Sequence, residues 1–236
     1  MTRELIAHGY HVIGLDQGTC SATQLLDSGS FDFIACDLFE LVNDPAVQDQ
    51  FNKDLSKLAS FTFLFGLVNN AAVQIVSPAK DMALEDFRKT LDVNVTAAFE
   101  LSRICYDKLA ENQGSIVNIS SIHARLSKKQ FVAYATSKAA LSALTRYLAL
   151  DWGGTVRVNA IEPAAIETDM LKAGFGTDWP QAKDQIEACH PSQKIGQPEE
   201  VAKAARFLLE GQGFLTGAIV DISGAISAVL NDPNAV

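Results

Sequence analysis

The sequence predicts a single α/β domain over residues 1–236, built on a doubly wound parallel sheet with helices on both faces. Short runs rich in β-branched residues, such as Ile116–Ile119, alternate along the chain with amphipathic segments at helical spacing, such as Pro45–Leu58. This alternation is typical of parallel sheets, because each helix carries the chain back to the start of the next strand. A chain of 236 residues can bury one substantial core, and no linker or internal repeat divides it.

The individual elements follow from hydrophobic periodicity and from residues that end or begin helices. Gly9 and Gly153 stand where helices should end, and Pro198 stands at the start of the last helix. The predicted helices cover Thr2–His8, Pro45–Leu58, Leu84–Ala110, Phe131–Leu150 and a segment that begins at Pro198. The predicted strands cover His11–Leu15, Phe31–Cys36, Phe63–Val68, Ile116–Ile119, Val156–Ile161 and the segment 217–225.

Composition excludes several classes of function. The net charge of −9 argues against nucleic-acid or anionic-membrane partners, which select basic surfaces. No apolar run approaches the ~20 residues that a membrane span requires. The four cysteines are scattered, without a C-x-x-C pair or a histidine at ligand spacing, which favours reduced thiols and no metal site. We therefore expect a cytoplasmic protein that acts on a small molecule.

The central stretch carries the chemistry. Tyr134 and Lys138 are four residues apart on a predicted helix, so their side chains share a face, and Ser121 ends the preceding strand. A fixed ammonium favours the phenolate, and lowering a phenol pKa from ~10 to ~7 requires roughly 4 kcal/mol. A Tyr-x-x-x-Lys pattern alone also occurs by chance, with a core tyrosine beside a solvated lysine. The neighbouring motifs favour the chemical alternative.

These residues resemble the pattern of the short-chain dehydrogenases/reductases, in which a serine precedes Tyr-x-x-x-Lys by thirteen residues, as Ser121 does here. The resemblance covers essentially the whole chain, and it implies a Rossmann-like fold and an oxidoreductase that interconverts an alcohol and a ketone. Tyr134 would be the acid/base, Lys138 would lower its pKa and hold the nicotinamide ribose, and Ser121 would orient the substrate oxygen. Asn94, inside a predicted helix, would anchor a water in a proton relay; a structural hydrogen bond to an adjacent strand is the other interpretation, and the two roles are compatible.

The same resemblance implies a dinucleotide site along the strand ends. Asp16 would bind the adenosine ribose hydroxyls and repel a 2′-phosphate, so NAD should be preferred over NADP. Ala72 and Ala164 stand where the family usually has glycine. The residues implied to contact the cofactor are Asp16, Asp37, Leu38, Asn70, Ala71, Ala72, Ile119, Tyr134, Lys138, Pro163, Ile166 and Thr168.

Other features concern the substrate and the assembly. A substrate lid is expected within residues 165–197. The loop after Ser121 carries four basic residues, which indicate either an anionic substrate group or a solvated loop. The long helices 84–110 and 131–150 have apolar residues on more than one face, which favours a homodimer or homotetramer. The basic loop residues are His123, Arg125, Lys128 and Lys129, and the apolar helix residues include Phe99, Leu144 and Leu148.

One part of the family pattern has no counterpart. The family begins with a strand and a Gly-x-x-x-Gly-x-Gly turn that binds the pyrophosphate, whereas this sequence starts within the following helix. The missing strand would lie in mid-sheet, so we expect about a dozen or more residues ahead of Met1 in the working protein, and poor NAD binding without them. The alternative function is a non-catalytic dinucleotide-fold protein that has lost its pyrophosphate site.

Overall fold

The computed structural model describes residues 1–20, 23–26 and 28–230, and each strand in these ranges is separated from the next by at least one helix. Strands are numbered in chain order: β1 Val12–Asp16, β2 Phe31–Ala35, β3 Gly66–Asn69, β4 Ser115–Ile119, β5 Arg157–Pro163 and β6 Ile219–Ile222. Helices are α1 Thr2–Ala7, α2 Thr23–Leu26, α3 Leu38–Asn43, α4 Pro45–Lys57, α5 Leu84–Leu91, α6 Ala97–Glu111, α7 Val132–Trp152, α8 Asp169–Ala173, α9 Trp179–Cys189 and α10 Pro198–Glu210. The predicted α/β class is confirmed.

The larger sheet holds four parallel strands in the order β3-β4-β5-β6. Every residue of β4 and β5 is buried, as expected of central strands covered on both faces. Val117 and Ile161 are fully buried and pack with α10, while Ile116 and Val158 pack towards α6 and α7. Because all four strands are parallel, their carboxyl ends lie along one edge, where ligand sites of such sheets form.

Strands β1 and β2 form a separate two-stranded parallel sheet. Among the described strands, β1 pairs with β2 only and β3 pairs with β4 only, so β1 and β3 each have one unpaired edge. A cavity of about 940 Å³ lies between them, lined by residues of both strands and by Met1. The division falls where the resemblance placed a further strand.

The predicted long helix 84–110 is interrupted, which corrects its expected continuity. A turn of π-helix over Asp92–Thr96 separates α5 from α6 and contains the buried Asn94. The strand expected over Phe63–Val68 is shorter, because Ala59–Phe63 forms a 3₁₀ turn and β3 begins at Gly66.

The apolar faces of the long helices are also distributed differently from the prediction. Leu148 is 5% exposed and lies in the core between α6, α7 and the larger sheet, with Leu144 packed against that cluster. Leu148 is therefore part of the core and Leu144 is half-buried, whereas Phe99, Tyr147 and Leu150 are exposed. No helix of the described residues is long and apolar enough to cross a membrane.

Candidate active site

The candidate active site lies at the carboxyl end of β4, against the first turns of α7. Ser120 and Ser121 follow β4 directly, and helical spacing places Tyr134 and Lys138 on the face of α7 that packs on this strand end. All four residues are buried, with Lys138 2% exposed and Tyr134 9% exposed. The structure therefore brings together the three side chains that the sequence selected as chemical groups: Ser121, Tyr134 and Lys138.

Lys138 is a fully buried cation. Its Nζ donates a hydrogen bond to the carbonyl oxygen of Ile119 at 2.7 Å and lies 5.6 Å from the centre of the Tyr134 ring. Burial lowers the pKa of Lys138 to about 8. An ammonium has three donors, and Ile119 accepts one, so among the described residues two donors are left for other acceptors.

Tyr134 differs from the expectation in its acidity. Burial raises the pKa of Tyr134, and the Ser121 hydroxyl only partly offsets this effect. The net direction is therefore the opposite of the lowered phenol pKa that the sequence suggested. A protonated phenol is the form that can donate a proton to a developing alkoxide.

Ser121 is oriented by the short 3₁₀ turn Ile122–Ala124 that follows it. Its Oγ accepts the backbone N–H of His123 at 3.2 Å, and its hydroxyl group also interacts with Tyr134, whose pKa it lowers. His123 stacks on Phe131 at 4.8 Å between ring centres and meets the edge of Tyr134. Burial, followed by the charge of Lys128, lowers the pKa of His123 to about 4, so this ring is neutral near pH 7.

The side-chain amide of Asn94 forms hydrogen bonds with other atoms of the protein. Its Oδ1 accepts the N–H of Val73 at 2.8 Å, and its Nδ2 donates to the Val73 carbonyl at 3.0 Å and to Ser137 Oγ at 2.9 Å. Both donors of the amide are therefore occupied. The side chain ties the segment after β3 to α7, which is a structural role of the kind that the sequence left open.

The cofactor residues selected from the sequence follow the strand ends. Asp16 ends β1 with an exposed carboxylate that accepts the Gly18 N–H, and Asp37 caps α3 by accepting the Phe39 N–H at 2.8 Å. The cavity between the sheets is lined by Asp16, Leu38, Asn70 and Ala71, so these four lie around one space. Ala72 continues the segment after β3, Ile119 ends β4, Pro163 ends β5, Ile166 bridges to Gly196 and Thr168 caps α8.

Sequence reasoning missed a carboxylate beside this site. Glu162 lies in β5 with its side chain 2% exposed, and it is paired with Arg125, which the sequence had assigned only to a basic loop. A signal was present, because Glu162 directly follows the predicted strand Val156–Ile161, and a charge buried there requires a partner. Of the other basic loop residues, the Lys128 ammonium lies over the rings of Phe131 and Phe175.

The fold thus places a buried serine, tyrosine and lysine together at one end of a parallel strand. The family model described as "Enoyl-(Acyl carrier protein) reductase" matches residues 1–226. The chain is 35% identical over 187 residues to the 7alpha-hydroxysteroid dehydrogenase of Escherichia coli K12, covering 76% of this chain and 72% of that protein. The chain belongs to the short-chain dehydrogenase/reductase family.

A second curated relative and two solved structures agree with this assignment. The 3beta-hydroxysteroid dehydrogenase 1 of Eggerthella lenta is 34% identical over 164 residues, which are 68% of this chain and 62% of that protein; the chain thus matches about three fifths of this relative's length. A 4-hydroxyisoleucine dehydrogenase mutant with NADH and succinate has a TM-score of 0.85 at 28% identity, covering 98% of this chain and 93% of that chain. ElxO with NADP bound has a TM-score of 0.84 at 26% identity, covering 97% and 93%.

Proposed function

We propose that this protein is an NAD(H)-dependent oxidoreductase that interconverts an alcohol and a ketone on a small molecule. The observation that carries the proposal is the buried group of Ser121, Tyr134 and Lys138 at the carboxyl end of β4. The relatives named as dehydrogenases, and the solved structures that contain NADH or NADP, support it. Hydride transfer is the chemistry that a bound nicotinamide supplies in this reaction class.

The residues of the chain have separate tasks in this proposal. Tyr134 donates its phenol proton to the carbonyl oxygen during reduction and recovers it from the alcohol during oxidation. Ser121, whose oxygen already accepts the His123 N–H, donates its own proton to the same substrate oxygen. Lys138 has two donors left for ribose hydroxyls, and its charge favours the phenolate once these contacts draw it towards the Tyr134 oxygen. Residues 165–197, which contain α8 and α9, cover the substrate in this proposal.

The proposal is tested with purified protein, NAD or NADH, and a panel of secondary alcohols and ketones. Tyr134→Phe should abolish turnover, because it removes only the proton that the chemistry requires, while the melting temperature stays close to that of the wild type. Tyr147→Phe, which alters an exposed tyrosine on the same helix, is the matched control and should retain full activity. Turnover by Tyr134→Phe at more than a small fraction of the wild-type rate would show that the acid/base is misassigned.

A further inference from the structure

Glu162 holds a position that ordinary packing does not explain. Its carboxylate is buried in β5, where an unpaired charge would be very costly. Each of its oxygens has one partner: Oε2 accepts from Arg125 Nε at 2.6 Å, and Oε1 accepts from Ser142 Oγ at 2.8 Å. These two partners belong to different elements, the loop after Ser121 and the helix α7. The carboxylate therefore joins the two segments that carry the candidate catalytic side chains.

The contact with α7 continues to the backbone of Lys138. An ionised carboxylate can only accept, so Ser142 donates its proton to Glu162, and Ser142 Oγ lies 2.7 Å from Ser120 Oγ, whose single proton can go either to this oxygen or to a second acceptor. The Ser120 hydroxyl also lies 2.9 Å from the carbonyl oxygen of Lys138. Glu162 is thus connected through two buried hydroxyls to the residue whose ammonium lies at the reaction centre.

The contact with the loop runs through Arg125. Its second nitrogen donates to Asp221 Oδ2 at 2.8 Å, and Asp221 is the residue directly beside Glu162 in the pairing of β5 with β6. One guanidinium thereby bridges two adjacent carboxylates that would otherwise repel each other. Arg125 also belongs to the turn after Ser121, since its own N–H donates to the Ile122 carbonyl at 3.0 Å.

We propose that Arg125, Glu162 and Asp221 (the Arg125 ion triad) position Ser121 and Lys138 for catalysis. The triad fixes the turn that orients the Ser121 hydroxyl, and through Ser142 and Ser120 it fixes the backbone at Lys138. None of the three residues need touch the substrate, so they are positioning residues. The proposal rests on the proposed function, because it assigns a task within the same reaction.

Three variants and one control test the proposal. Arg125→Met keeps the length of the side chain and removes its charge, and Arg125→Lys restores the charge without the two-pronged geometry. Ser142→Ala breaks only the connection towards Lys138. Arg103→Met is the matched control, because Arg103 forms an equally short pair with Glu100, at 2.6 Å, on the exposed face of α6.

Misplacing a reacting group by about 1 Å can cost up to ~100-fold in rate, so we expect Arg125→Met to lower kcat by at least ~10-fold. The KM should change less than kcat, because the substrate contacts remain. Arg125→Lys should recover part of the loss, Ser142→Ala should lower kcat by a smaller factor, and Arg103→Met should leave it unchanged. A kcat of Arg125→Met within twofold of the wild type would overturn the proposal.

Hydrogen exchange separates failure of this proposal from failure of the proposed function. In Arg125→Met the amides of Ala124 and Leu126, which bond to Ser121 and Ile122 in the turn, should exchange at least ~10-fold faster than in the wild type. If the wild type turned over no alcohol or ketone, the proposed function would fail, and faster exchange would still support the positioning of the turn. Unchanged exchange in Arg125→Met would refute the positioning role whether or not the protein is active.

Discussion

At the scale of single residues, the buried position of Lys138 lowers the free energy of unfolding. Burial removes the hydration of its ammonium, and Ile119 supplies one hydrogen bond in return. A pKa lowered from 10.5 to about 8 corresponds to ~3 kcal/mol of destabilisation at neutral pH. A protein keeps such a residue when its chemistry requires it, since perturbed lysines are concentrated at functional sites.

This cost predicts a pH dependence of stability. Between pH 8 and pH 10.5 the folded protein has lost the Lys138 proton while the unfolded chain retains it, so the unfolded state binds more protons and the free energy of unfolding rises with pH. Lys138→Met removes this titration. Urea unfolding at pH 7.5 and pH 9.5 should therefore show the stability of the wild type increasing relative to Lys138→Met by about 2 kcal/mol. An unchanged difference between the two proteins would show that Lys138 titrates normally.

Asp16 gives a second prediction at this scale. Its exposed carboxylate, followed by Gln17 and Gly18 without a nearby arginine in sequence, would face a 2′-phosphate with like charge. We expect kcat/KM to be higher with NAD than with NADP, by a factor corresponding to at least ~1–2 kcal/mol. Asp16→Asn should reduce this preference, whereas Asp49→Asn, on the exposed face of α4, should not. Equal kcat/KM values for the two cofactors in the wild type would exclude Asp16 as the selector.

The site residues could be predicted from the sequence where they stand at fixed spacing on one element. Tyr134 and Lys138 share a helix face, and Ser121 ends the preceding strand, so local periodicity sufficed. The acidity of Tyr134 could not be predicted, because it depends on how deeply the ring is buried and on where the ammonium lies. Glu162 and Arg125 are 37 residues apart, and only the three-dimensional fold brings them together.

At the scale of elements, the strand and helix assignments held where one residue pattern dominated. The five residues of β4 and the 21 of α7 lie where β-branched and helical patterns are strongest. The region 84–110 was assigned to one helix because its apolar spacing runs through Asp92–Thr96 without a break. The π turn depends on the Asn94 amide bonding across to Val73, a tertiary contact that periodicity does not report.

The exposed apolar residues of α6 and α7 predict an assembly. Phe99 on α6 and Tyr147 and Leu150 on α7 are exposed by 41%, 66% and 77%. We expect a homodimer or homotetramer by light scattering at micromolar concentration, because burying these side chains removes apolar surface from water. Leu150→Glu should shift the distribution towards monomer, whereas Leu26→Glu, on α2, should not. A wild-type monomer at these concentrations would refute this prediction.

At the scale of the whole molecule, the division into two sheets is the main departure from a continuous doubly wound fold. The unpaired edges of β1 and β3 line one cavity of about 940 Å³, and residues of β1 are half-buried where a central strand would be covered. The cavity is also lined by the apolar residues Leu5, Leu209, Phe51 and Leu101. Apolar side chains line much of the cavity and the unpaired edges of β1 and β3 flank it, which resembles the environment of a buried parallel strand.

The last prediction follows from this cavity. A fusion that places a five-residue β-branched strand and a glycine turn directly before Met1 should fill it, because Met1 lines the cavity and a right-handed crossover through α1 then leads to β1. Each backbone hydrogen bond gained contributes ~0.5–1.5 kcal/mol net to the free energy of unfolding, so the melting temperature should rise by at least ~5 °C.

The glycine turn should also supply backbone donors at the start of α1, and calorimetry should record an NAD dissociation constant about a hundredfold lower. The matched control is the same fusion with proline at the centre of the strand. Proline has no N–H to donate to the neighbouring strand, so this fusion should show most of the rise in melting temperature lost. If both fusions melted at the temperature of the unfused chain, the cavity would not accept a strand. If the unfused chain bound NAD at micromolar concentration, another segment would supply the pyrophosphate contacts.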